Sequence, residues 1–266
     1  MASLAHTSGF GPLLREWRLA RRLTQQALAE QAEVSTRHLS FLETGRARAS
    51  REMTLVLGNA LELSLRERNM LLSAAGFAPV YRETALDAEP MQHVRKALDH
   101  MLEQQEPYPA MVLDRAWNLL RMNQGAARLF ARLLAGRTRD PALLGNLAHA
   151  LFHPEGLREV IVDWPVLAAV MAERLHREAA VDAELRILRD TVLGYAGVPE
   201  RLRVPVLDAV PLVATPVHVR APDGGEARLF TMLTTLGTPL DVTAQELRVE
   251  FYFPLDDASE AFLREC

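Results

Sequence analysis

The stretch Thr24–Gly45, TQQALAEQAEVSTRHLSFLETG, constrains this chain more than any other. Its apolar residues fall at helical spacing in two short runs. Ala27, Leu28 and Ala32 share one face of the first run, and Val34, Leu39 and Leu42 continue that face through the second. The small residue Ala29 stands where two such helices must cross closely. Thr24 and Ser35 occupy N-cap positions, and Gly45 lies where a helix ends most easily in a left-handed residue. The opposite face of the second run is Ser35, Thr36, Arg37, His38, Ser40 and Phe41, whose donors and acceptors can meet base edges or phosphates. An ordinary helical hairpin uses the same apolar spacing. It has no reason to combine it with both caps, the exit glycine and that polar face.

The segment resembles the helix-turn-helix of the XRE (phage repressor/Cro-like) family, on TQQALAEQA, the VS that opens the second helix and its LSFLETGR exit. The family usually has glycine in the turn, where this chain has Glu33. A non-glycine residue there must accept a positive φ or an altered turn, at about 1 kcal/mol. The resemblance implies a symmetric dimer on a double-stranded, inverted-repeat operator. Arg37, Thr36, His38 and Ser40 are then expected at bases, and Thr24, Gln25, Ser35, Arg46 and Arg48 at the backbone. Gln25 is also placed to brace the recognition helix.

The flanking residues fit a small helical domain. Pro12 suits a first helical turn, with Leu13, Leu14 and Trp17 inward and Arg15, Arg18, Arg21 and Arg22 outside that stripe. Ser50–Leu61 reads as a fourth helix. Ser64 with Glu67 gives a capping box for a fifth, ending at Gly76. Charge divides with the domains: residues 1–76 hold 10 Arg against 7 Glu, whereas the rest holds 20 basic against 27 acidic groups, for a net −4 overall. A basic N-terminal part beside an acidic remainder fits a nucleic-acid partner.

At 266 residues the chain has room for a second core. Phe77 to Glu106 is expected to connect, with an amphipathic helix from about Met91 to Gln105 carrying Val94, Leu98, Met101 and Leu102 inward. From residue 107 the pattern changes. Strands are expected at Ala110–Leu113 and Trp117–Met122, and then a helix capped by Asn123. A helical middle runs over about 139–198. A hairpin turns at Pro222-Asp223-Gly224-Gly225, and a strand at Glu246–Phe253 precedes a closing helix. The expected class is α+β: a five-helix domain over 1–76, a connecting segment over 77–106, and an antiparallel sheet with packed helices over 107–266.

LLSAAGFAPVYRET, EPYPAMVLDRAWNLLRMN, LFHPEGL and TTLGTPLDVTAQELRVEFYFP, in that order behind the helix-turn-helix, resemble the MmyB-like ligand-binding domain. The resemblance covers nearly the whole chain. It implies a PAS-like domain that senses a small hydrophobic molecule, a fatty acid foremost. Such a ligand needs an apolar slot and one polar or cationic group. Met111, Leu113, Trp117, Phe130, Phe152, Trp164, Met171, Phe230 and Met232 are candidates for the slot, each of them more often simply core. His153 and Arg174 are candidates for the head group, as is His176.

No nucleophile elbow, zinc-protease helix, phosphate loop or dinucleotide fingerprint occurs, so no enzyme is expected. A self-cleaving repressor needs Ser before Lys beyond its DNA-binding domain. Here the single lysine is Lys96, and only Ser259 follows it. The lone cysteine, Cys266, and the scattered histidines offer no metal site, and no cofactor is expected, with a lone-histidine haem site as the alternative. The N-terminus has no signal-peptide pattern and no run is long enough to span a membrane, which fits a cytoplasmic protein. The competing reading makes the second domain a protein-interaction module without a small-molecule ligand. A hollow apolar interior would favour the sensor, and a solid core the module.

Overall fold

The computed structural model describes residues 9–137, 140–180, 182–205 and 216–266. They form two compact units, the first running to Ala85 and including Thr238–Gln245, the second comprising Leu86–Gly237 and Glu246–Cys266.

The first unit holds α1 (Phe10–Ala20), α2 (Gln25–Gln31), α3 (Thr36–Glu43), α4 (Arg51–Ala60) and α5 (Leu65–Ala74). Four of these helices open on a side-chain oxygen that accepts an otherwise orphaned N–H: Thr24 from Ala27, Ser35 from His38, Ser50 from Met53 and Ser64 from Glu67. Glu67 returns the bond to the Ser64 N–H and so completes the capping box. Glu33 takes φ 54° between α2 and α3, as the missing glycine requires, and Gly45 closes α3 at φ 73°. Leu14, Trp17, Leu28, Leu39, Leu42, Leu57 and Leu71 form the core. Gly11 marks the closest approach of α1 to α3, since a Cβ there would lie 2.4 Å from the Glu43 carbonyl oxygen.

Thr238–Gln245 completes this unit from far along the chain. Asp241 accepts the Thr84 hydroxyl at 2.6 Å, the Val242 N–H donates to the Arg82 carbonyl at 2.8 Å, and Gln245 accepts the Leu65 N–H at the start of α5 at 2.7 Å. The sequence reading did not anticipate this. It also treated 77–106 as one connector, whereas residues up to Ala85 lie with the first unit and the rest with the second.

The second unit contains α6 (Gln92–Gln104), β1 (Ala110–Leu113), β2 (Leu119–Met122), α7 (Gln124–Leu133), α8 (Pro141–Leu144), α9 (Leu147–Phe152), α10 (Trp164–Ala179), α11 (Ala183–Leu193), β3 (Val217–Arg220) and β4 (Glu226–Thr234). After a short helix α12 (Val242–Glu246), β5 (Arg248–Pro254) and α13 (Asp257–Glu265) finish the chain. The strands make one antiparallel sheet in the order β2-β1-β5-β4-β3, so the last strand in sequence lies at its centre. Trp117, expected to begin β2, instead sits at φ 67° in the turn before it, and the strand starts at Leu119.

Period-two alternation assigns the faces of the sheet. Ala110, Val112 and Val249 pack with Leu98 and Leu102 of α6, with Phe251 beside them. Met111, Leu113 and Leu229 turn the other way, into a larger core built with α7, α9, α10 and α11. Both faces are therefore covered. Among the described residues no helix is long and apolar enough to cross a membrane.

Candidate functional site

The first unit presents α3 as a capped, buttressed helix with an exposed polar rim. Thr36 and Arg37 are exposed, His38 and Ser40 are half-buried, and Arg46 and Arg48 are exposed in the loop that follows. The Arg37 guanidinium lies 5.3 Å from the Phe41 ring centroid, which steadies the long side chain on the helix surface. Ser35 and Thr24 use their oxygens as cap acceptors, and each hydroxyl keeps its own proton to donate.

What holds α3 in place is a buried polar network that the sequence reading missed. Arg18, expected outside the apolar stripe of α1, is only 6% exposed. Its guanidinium grips the Glu43 carboxylate through Nε at 2.6 Å and Nη2 at 3.0 Å, and Nη1 donates to the Leu23 carbonyl at 2.7 Å. Gln25 Nε2 donates to the same carboxylate at 2.8 Å, so Gln25 braces α3. Burial pushes the Glu43 carboxyl up, but the bonds from Arg18 and Gln25 outweigh it and hold its pKa below the usual range. Arg18 is raised by its hydrogen bond to Glu43.

The second unit has an apolar cavity of about 190 Å³ between the sheet and its helices. Met111, Val217, Val219, Leu229 and Thr231 form its sheet side. Leu129 and Phe130 of α7, Leu147 and Leu151 of α9, and Leu167, Val170 and Met171 of α10 form its helical side. A smaller cavity of about 90 Å³ shares Met111, Phe130, Leu147 and Leu157 with it and reaches Leu113 and Leu119.

Of the residues the sequence nominated, Met111, Trp117, Phe130, Met171 and Arg174 line the larger cavity, and Leu113 lines the smaller. The others lie elsewhere. Phe152 is core, packed edge-on against Trp164 at 6.1 Å, and the Trp164 indole N–H donates to the Leu151 carbonyl at 2.9 Å. Phe230 and Met232 fall between Leu229 and Thr231 in parity and so face away from the cavity. Phe230 stacks on Phe253 at 5.1 Å, and Met232 is 51% exposed. His153 accepts the Glu155 N–H at 3.1 Å in its loop, and His176 is bonded to the Leu202 carbonyl at 2.8 Å.

Arg174 is already engaged. It stacks 4.4 Å over the Trp117 ring and binds Glu178 at 2.9 Å, while Arg248 approaches the same ring at 5.2 Å and the same carboxylate at 3.1 Å. The polar groups that the sequence reading missed are Glu250 and Tyr252 of β5, two residues apart on the strand face that meets the cavity. The Tyr252 hydroxyl and the Glu250 carboxyl both line the cavity. Desolvation raises Glu250 to about 7 against the pull of Arg174, Tyr252 and Arg248, and burial beside Glu250 pushes Tyr252 far up.

Comparison with known proteins follows the same division. Residues 94–265 match the family model described as MmyB-like transcription regulator ligand binding domain, and residues 10–71 match one described as helix-turn-helix domain. No curated protein matches. Among solved structures, one described as "Structure of an RNA-binding Light-Oxygen-Voltage Receptor" aligns at 13% identity over 99% of this chain and 64% of that one, with a TM-score of 0.31. This chain thus spans less than two thirds of that one, and so slight a likeness bears on neither fold nor function.

Proposed function

The chain belongs to the family of MmyB-like transcription regulators, and from that premise we propose that it binds a specific operator through α3 and is controlled by a small hydrophobic molecule held in the cavity of its second unit. The observation that carries this reading is the cavity itself. It is apolar, lies within the matched ligand-binding domain and is bordered by a few polar groups, as ligand sites are. A hollow interior favours a sensor over a protein-interaction module. The covered antiparallel sheet with helices over the cavity supports the PAS-like description.

A symmetric dimer would set two α3 helices in successive major grooves, about 34 Å apart, on an inverted repeat. Arg37, with Thr36, His38 and Ser40, would read base edges, while Thr24, Gln25, Ser35, Arg46 and Arg48 would hold phosphates. Gln25 does so only at the edge of its bond to Glu43. Ligand changes operator affinity if it binds two states of the protein unequally. A fatty acid would lay its chain among Leu167, Met171 and Phe130. A regulator of this kind works as a cytoplasmic, non-enzymatic protein.

Operator duplexes selected from a random pool by the full chain test the DNA half. Arg37→Ala should weaken the selected duplex by about 1–3 kcal/mol while leaving random DNA little changed, if Arg37 is bidentate to guanine. Equal weakening on both would assign Arg37 to the backbone. Denaturing freshly purified protein in organic solvent and identifying released molecules by mass spectrometry tests the other half. A stoichiometric amphiphile is the expected result.

A further inference from the structure

The cavity is apolar almost throughout, and its polar groups are unequally used. Arg174 is committed to Glu178 and to the Trp117 ring. Tyr252 stands two residues from Glu250 on the same face of β5. Glu250 keeps an unused valence: its Oε2 is shielded from solvent and has no hydrogen-bond partner. Of the two side-chain atoms so placed among the described residues, the other being Glu173 Oε2, only this one belongs to a residue lining the cavity.

A buried acceptor left unpaired is costly, and a native structure keeps one where something outside the chain completes it. Water would satisfy it only with several polar partners, and of the groups nearby Arg174 and Arg248 are engaged with Glu178, while Met111, paired with Glu250 across the strands, is apolar. We infer that the effector is an amphiphile whose head group donates a hydrogen bond through O–H or N–H to Glu250 Oε2, its apolar tail lying among Phe130, Leu167 and Met171. This deepens the reading of the cavity as the effector site and rests on it.

The charges around the site argue in the same direction. Arg174 and Arg248 are balanced by Glu178 and Glu250, and a carboxylate head would add a second negative charge against Glu250. A free fatty acid would therefore enter only with one of the two carboxyls protonated. A long-chain alcohol or amide needs no such protonation. Thr231, on the neighbouring strand opposite Tyr252, lines the same wall and offers a hydroxyl to the head group's own acceptor.

The test is calorimetric titration of the full chain with octan-1-ol, its methyl ether and octanoate, at about pH 8.5, where the Glu250 carboxyl is mainly ionised. Octan-1-ol should bind roughly ten- to a hundredfold more tightly than the ether, and more tightly than octanoate, since only the alcohol donates to the carboxylate. Glu250→Leu should erase the difference between alcohol and ether. Glu250→Gln, which keeps the shape and gains an N–H donor, should shift preference towards octanoate, and it carries the test if the leucine variant does not fold. Octanoate binding as tightly as the alcohol, or ether as tightly as the alcohol, would overturn the head-group inference while leaving the cavity as the site. Failure of all three to bind would overturn both.

Discussion

Glu43 and Glu250 behave oppositely, and their partners explain why. Glu43 is matched by Arg18 and Gln25, so its charged form is favoured on folding. Its contribution is complete above the unfolded carboxyl pKa and is lost as pH falls through the lowered folded value. Breaking one side of such a pair leaves an uncompensated charge, and Glu43→Ala should cost about 3–5 kcal/mol in denaturant unfolding. The double change Arg18→Met with Glu43→Leu should recover most of that loss. Glu250 has the reverse sign. Its folded value of about 7 lies above the ordinary 4.5, so its contribution is complete below about pH 4.5 and is lost as pH rises to 7. Glu250→Gln should therefore raise the melting temperature at pH 8 and change it little at pH 4. An equal shift at both would mean that Glu250 is not desolvated.

At the scale of elements, the signals that proved legible are local ones. Thr24, Ser35, Ser64 and Asn123 are caps because each lies within three residues of the N–H it serves, and the left-handed turn at Glu33 follows from its place between two helices. Arg18 was misread because helical spacing sets it at the edge of the stripe, and its partner lies 25 residues away. Glu250 and Tyr252 were missed for a related reason. In RVEFYFP the alternation separates Val249, Phe251 and Phe253 from Arg248, Glu250 and Tyr252, which in a one-sided sheet would be the wet face. In this sheet α6 covers one side and the cavity helices the other, so the polar set turns inward. The same parity took Phe230 and Met232 off the cavity wall. Packing also fixes how close α1 comes to α3. Gly11→Ala would put a methyl against the Glu43 and Leu42 carbonyls, at 2.4 and 2.6 Å, and should destabilise the unit by about 1–3 kcal/mol. A substitution that left thermal unfolding and operator binding unchanged would mean that the helices tolerate wider spacing.

At the scale of the whole chain, the link between β4 and β5 matters most. Thr238–Gln245 is hydrogen-bonded within the unit that carries α3, and β5 begins three residues later with Glu250 and Tyr252 along it. A strand that lines the cavity is thus covalently continuous with a segment built into the helix-turn-helix unit. A ligand in the cavity would act on operator binding through this covalent link only by favouring one arrangement of β5 over another. The most direct measurement is fluorescence anisotropy of the full chain on its selected operator, with and without octan-1-ol at a concentration that titration shows to saturate the cavity. The account predicts a change in operator Kd of about fivefold or more, absent in Glu250→Leu at the same alcohol concentration. An unchanged Kd with the cavity filled would contradict it.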